Sequence, residues 1–208
     1  MTKPGPPRCT VMERDLVYTL QPMLPANEQA SGDGRWSETI PASVPAGLTG
    51  WLADHGLLTP RIRSFQPASF RLAVHAERRR RLDREERALL DGDAGEALVR
   101  EISMGGAAGE LVVASSIIPA ETLERFPSLA ALGERPLGEA LARLDEVSRE
   151  PFCYAVFEPG DRGYPALPER MPAGRLFARR SVIRVAGAPI LVIEYFPASL
   201  AAPEGAAL

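Results

Sequence analysis

The chain of 208 residues is long enough for one domain with a sizeable core, and 45% of its residues are apolar. Its 24 basic and 27 acidic side chains leave a formal net charge of −3, which provides no general attraction to nucleic acid or anionic lipid. Two cysteines and two histidines in no metal-type spacing, with no long apolar stretch, argue against a zinc enzyme, a disulfide scaffold and a membrane protein.

The first segments are irregular. Residues 1–10 read as a loose tail, and residues 11–200 as a single domain that ends in a frayed stretch, 201–208. The segment from Val11 to Leu20 carries Glu13, Arg14 and Asp15, which interrupt the apolar run that a secretory signal needs, so a cytoplasmic protein is expected. Residues 21–47, rich in Pro, Gly, Ala and Ser, read as a linker or wrapped loop. Pro45 to His55 is a short amphipathic helix with Leu48, Trp51 and Leu52 on one face; His55 at its end suits the helix dipole as a cation.

Ser69 to Ala76 alternates as a strand, with Phe70, Leu72, Val74 and Ala76 on one side and Arg71 and His75 on the other. The run Arg78–Arg81 that follows reads as a solvated turn. Asp83 to Leu90 is a helix with acids in its first turn. Ala97 to Met104 and Glu110 to Ile118 are strands joined by a turn over Gly105 to Gly109, which makes a hairpin.

Pro136 to Val147 places Leu137, Leu141 and Leu144 at helical spacing. Cys153 falls in an apolar run and reads as a core thiol. Glu158 to Gly174 is rich in Pro and Gly and could shape a lid. Leu176 to Val185 and Ile190 to Phe196 form a second hairpin across Ala186-Gly187-Ala188-Pro189. Hairpins without crossover units predict an α+β fold, a single antiparallel sheet with helices packed on one face.

Alternation also exposes two misplaced charges. Arg100 shares its strand face with Leu98, Ile102 and Met104, and Glu194 shares its face with Ile190, Val192 and Phe196. An unpaired buried charge costs several kcal/mol, roughly, so each needs a partner. The two could pair with each other, could reach water at an edge, or could flank a pocket. In a pocket, Arg100 would fork a ligand carboxylate and Glu194 would meet a ligand hydroxyl, an arrangement suited to a small cyclic or aromatic hydroxy acid.

The ordered set Trp51-Leu52, Gly56-Leu57-Leu58-Thr59, Val99-Arg100-Glu101-Ile102, Ile117-Ile118-Pro119, Leu132 to Gly138, Arg179-Arg180-Ser181 and Glu194 to Ser199 resembles the chorismate lyase family over about Trp51 to Leu200. The resemblance implies an antiparallel sheet with helices on one side. It implies cofactor-independent removal of pyruvate from chorismate to give 4-hydroxybenzoate. The expected protein is a cytoplasmic monomer acting on a small molecule, with no nucleic acid or membrane partner. It places the family's ring-carboxylate arginine on Arg100, its glutamate at the 4-oxygen on Glu194, and its pocket walls on Leu58 and Leu137. Ser115 stands where the family has an arginine expected to serve the leaving enolpyruvyl carboxylate. Arg179 or Arg180 could supply that charge from the neighbouring hairpin, and alternation leaves open which of them points inward. A non-catalytic aromatic-acid binding module, an enzyme making another hydroxybenzoate and an enzyme acting on an acyl chain are the alternatives.

Overall fold

The computed structural model describes residues 35–65, 68–92, 95–107, 109–169, 171 and 173–201, with the backbone of Cys9–Val11 and Tyr18–Thr19. Most of the expected tail, residues 21–34 of the expected linker, and 202–208 lie outside the described residues. Nine strands are formed: β1 (Cys9–Val11), β2 (Tyr18–Thr19), β3 (Arg71–Arg81), β4 (Glu96–Gly106), β5 (Gly109–Pro119), β6 (Val147–Arg149), β7 (Cys153–Phe157), β8 (Leu176–Val185) and β9 (Ala188–Pro197). They build one antiparallel sheet in the order β2-β1-β6-β8-β9-β5-β4-β3, with β7 also paired to β8. The two hairpins expected from the sequence, β4–β5 and β8–β9, sit side by side through β5 and β9 at the sheet's centre.

Five short α-helices, α1 (Ala46–Leu52), α2 (Leu58–Phe65), α3 (Arg84–Leu89), α4 (Ala120–Arg125) and α5 (Leu137–Leu141), and two 3-10 turns, Pro127–Ala130 and Ala198–Ala201, complete the described fold. One face of the sheet is covered by α1 and α2 at one end, where Trp51 and Ile62 pack on Ile102 and Phe196, and by α4 and α5 at the other, where Leu123 and Leu137 join Ile183 and Val192. On the opposite face, Leu89 and Leu90 at the end of α3 join Val99, Ile117 and Leu191. The α3 helix begins with a capping box, in which the Asp83 carboxylate accepts from the Glu86 backbone and the Glu86 carboxylate accepts from that of Asp83. Trp36, Tyr164, Leu167 and Met171 cover the rest of that second face beside Phe157 and Tyr195. The Glu158–Gly174 stretch therefore adds core there instead of a lid over the first face.

Three local expectations are corrected. The Arg78–Arg81 run is strand, not turn, because β3 is an edge: Arg78 pairs with Glu101 and Arg80 with Glu86 while their other sides meet water. The register of β3 on β4 shifts between Val74 and Ala76, so Val74 opposes Ile102 whereas Ala76 opposes Glu101. This bulge removes Ala76 from the face of Leu72 and Val74 and puts Glu77 there in its place. The helix expected over Pro136 to Val147 stops at Leu141; i→i+3 bonds from Arg143 to Ala140 and from Leu144 to Leu141 tighten its end, and Glu146 adopts a left-handed φ of 54°. The chain is thereby released to form β6.

The β8–β9 hairpin turns on Ala186 (φ 45°) and Gly187 (φ 85°), both left-handed as a type I′ turn demands. Glycine adopts this conformation freely, whereas alanine is strained in it. Ala186→Asn is expected to stabilise the protein by about 0.5–1 kcal/mol, read as a higher urea midpoint with an unchanged m-value. A lower midpoint would contradict this account of the turn.

Candidate active site

The central strands of the first face carry small side chains, Ala114 and Ser116 on β5, where a filled core would require large ones. Above them a cavity of about 650 Å³ opens. That volume suits a small organic ligand. Ile102, Met104 and Val192 extend its floor, while Leu58, Leu137 and the chain from Ala142 to Arg149 form its walls. Gly138 permits the wall to close, because a Cβ there would lie 2.8 Å from Leu57 Cδ2. Leu58 and Leu137 are both buried, at the positions the sequence proposes for pocket walls.

Arg100 lies on β4 directly across from Ser116, beside this floor without itself lining the cavity, and is 1% exposed. Its Nε donates to Glu77 Oε1 at 3.0 Å, and its Nη2 donates to the carbonyls of Gly133 and Arg135 at 2.5 and 3.4 Å. The Nη1 group is buried with no hydrogen-bond partner. Burial pulls the guanidinium pKa below its ordinary value, a shift that the Glu77 carboxylate opposes. Arginine still carries its charge here, so Nη1 is a desolvated donor awaiting an acceptor.

Glu194 lies on β9, across from Ala114 on one side and Arg179 on the other, and lines the cavity. It is 7% exposed. Arg100 and Glu194 are two strands apart and two residues out of row, about 12 Å between Cα atoms at ordinary sheet spacings. They do not pair. Glu194 Oε2 accepts from Arg179 Nε at 2.5 Å.

Arg179 is thus the inward member of the Arg179-Arg180 pair. Its Nη1 donates to the carbonyls of Trp51 (3.0 Å), Leu52 (3.3 Å) and Asp54 at the C-terminal end of α1, and its guanidinium rests 4.4 Å from the Phe152 ring centre. These carbonyls are the ones a helix leaves unpaired. The cation at this helix end is therefore Arg179. His55 is pushed toward its neutral form, first by burial and then by the charges of Arg179 and Arg149, contrary to the cationic role expected for it.

Arg179 does not line the cavity, and Arg180 and Ser115 lie on the other face. Arg180 pairs with Glu85 and stacks 4.3 Å from the Trp36 ring centre. Ser115 falls between the inward Ala114 and Ser116 and opposes Ile193, whose side chain packs in the second face's core. Neither is placed to contact a ligand in this cavity, a correction to the expectation for both. Sequence reasoning missed Glu77, hidden by the bulge, and Arg149, which is buried, lines the cavity and donates from Nη1 to Ser181 Oγ at 2.6 Å. Thr59, also buried on the wall, was legible only as part of the family-like Leu58-Thr59 motif.

Removing Arg179 strands the Glu194 carboxylate and the α1 carbonyls. Arg179→Leu is expected to cost about 3–5 kcal/mol in urea denaturation, the range for breaking a buried ion pair from one side. A cost below about 1 kcal/mol would show that the pair does not hold this corner together.

The chorismate lyase family model matches residues 34–201. A probable chorismate pyruvate-lyase of Methylococcus capsulatus (strain Bath) is 37% identical over 164 residues, covering 76% of this chain and all of that protein. A probable chorismate pyruvate-lyase of Azoarcus sp. (strain BH72) is 36% identical over 186 residues, covering 84% of this chain and 96% of the relative. Among solved structures, the effector domain of PhnF from Mycobacterium smegmatis is similar over 68% of this chain and 87% of that one, with a TM-score of 0.48 at 15% identity. On the family match and these identities, the chain belongs to the chorismate lyase family.

Proposed function

We propose that the protein converts chorismate to 4-hydroxybenzoate and pyruvate in the cavity between Arg100 and Glu194. The observation that carries this reading is a pair of opposite, desolvated charges, each held by a different partner: Glu194 lines the cavity, and Arg100 stands across from Ser116 of its floor with one donor unmet. A ligand with a carboxylate at one end of a ring and a hydroxyl at the other spans such a site. Arg100 Nη1 supplies the unused donor for the ring carboxylate. Glu194, fixed through one oxygen by Arg179, accepts from the 4-hydroxyl with its remaining lone pairs. Leu58 and Leu137 close on the ring.

Chorismate is poised to react, so the protein needs little covalent chemistry. The C4–H bond breaks and its electron pair forms the last ring double bond. The C3–O bond breaks with its electrons on the ether oxygen, and the departing three-carbon unit takes up the C4 proton to leave as pyruvate. Aromatisation drives the step. Holding one conformer for that elimination is a proximity effect, and charged groups fixed around the cavity favour charge developing at oxygen.

Incubation of the purified protein with chorismate alone is expected to yield 4-hydroxybenzoate and pyruvate in equal amounts. Arg100→Ala and Glu194→Gln should each lower kcat/KM by more than about 100-fold while the circular dichroism spectrum is retained. Tight 4-hydroxybenzoate binding without turnover would mark a binding module of the same family, and full activity in either variant would remove that residue from the site.

A further inference from the structure

We propose that Arg149 receives the carboxylate of the departing enolpyruvyl group. The proposal rests on the chorismate reading above. Chorismate carries three polar ends, two carboxylates and a hydroxyl, whereas Arg100 and Glu194 account for two of them. Among the described residues that line the cavity, the basic ones are Arg143, which is exposed, and Arg149, which is 9% exposed. Only the latter has the desolvated setting in which a charge-assisted hydrogen bond gains most.

Its position follows from strand register. Arg100, Ser116, Val192 and Ser181 form one row across β4, β5, β9 and β8. Arg149, the last residue of β6, opposes Ile183 and reaches back to Ser181 Oγ, the far end of that row. The backbones of Arg100 and Ser181 stand about 14 Å apart, three strand spacings; Arg149 starts one strand farther out, and its side chain reaches back over that spacing to Ser181. Ser116 and Val192, the two residues in between, form cavity floor, and Glu194 occupies the next row beside them. Two guanidiniums, one toward each end of the row, fit a substrate with two carboxylates, one on ring carbon 1 and one on the ether at carbon 3, and Glu194 in the adjacent row is left for the hydroxyl on carbon 4.

Neither arginine of the Arg179-Arg180 pair lines the cavity. Arg179 is engaged by Glu194 and the α1 carbonyls, and Arg180 lies on the opposite face. In the elimination, the C3–O electrons pass to the leaving unit, and Arg149 stabilises that unit while it takes up the C4 proton to become pyruvate. The hydrogen bond to Ser181 and the contact with the Phe152 ring, 5.2 Å from the guanidinium to the ring centre, fix where the charge sits.

The test separates this role from a structural one with two non-reacting ligands. 3-Carboxymethoxy-4-hydroxybenzoate carries the ether-linked second carboxylate, and 4-hydroxybenzoate lacks it. In calorimetric titrations Arg149→Gln is expected to weaken the first ligand by roughly 30-fold or more and the second by less than about 3-fold, with Arg149→Lys recovering part of the loss. In turnover, Arg149→Gln should lose kcat/KM for chorismate, and inhibition by added pyruvate should weaken with it. An equal loss of both ligands, or no loss of either, overturns the assignment of Arg149 and leaves the chorismate reading standing. Wild-type protein that binds neither ligand and does not consume chorismate overturns that reading and this assignment together.

Discussion

A charge on the inward face of a sheet must be answered by something, and here two charges of opposite sign are answered separately. Arg100 meets Glu77 on the edge side of its strand, and Glu194 meets Arg179 on the other side of its own. Had they met each other, the space between them would have closed. Ala114 and Ser116 on the strand between are too small to fill that space, so the ion pairs face away from a void instead of across it. The cavity thus follows from where the counter-charges stand as much as from the small side chains that floor it.

The same logic extends into the helices. Arg179 joins Glu194 to the last carbonyls of α1, and the chain leaving α1 enters α2 through Leu57, Leu58 and Thr59, which are cavity wall. The Asp54 carboxylate reinforces that corner by accepting from the Gly56 backbone N–H and from Arg61, both at 2.8 Å. The wall opposite depends on α5 being short. A helix continued to Val147 would consume the first residue of β6, and Arg149 would lose the strand that places it beside the sheet floor.

Much of this was legible because alternation holds in β4 and β9, where Arg100 and Glu194 stand out against apolar neighbours. Both central hairpins and the face of each charge follow directly. What sequence reading lost has definite physical causes. The bulge in β3 breaks the period of two, so Glu77 reads as belonging to the wrong face. The centre of β8 is buried on both faces, which erases the polar–apolar contrast that would have distinguished Arg179 from Arg180. β6 is three residues long, too short to show any period, so Arg149 carried no signal at all. The position of Ser115 depends on the pairing of β5 with its neighbours, which a single strand's pattern does not contain.

Saturation, more than burial, distinguishes the arginines of this face. Arg100 and Arg179 are equally buried at 1% exposure, and each has a carboxylate partner through Nε. Arg179 adds three backbone carbonyls from one helix end and lies against Phe152 and Phe196, an environment complete without a ligand. Arg100 retains a desolvated Nη1 with nothing to receive it, and its carboxylate partner, Glu77, lies on the side away from the cavity floor. An unmet buried donor costs free energy in the empty protein, and that cost is recovered when an acceptor arrives. Two arginines of the same burial therefore differ: one fixes the frame around Glu194, and the other keeps an unmet donor, which the proposed reading gives to the ring carboxylate.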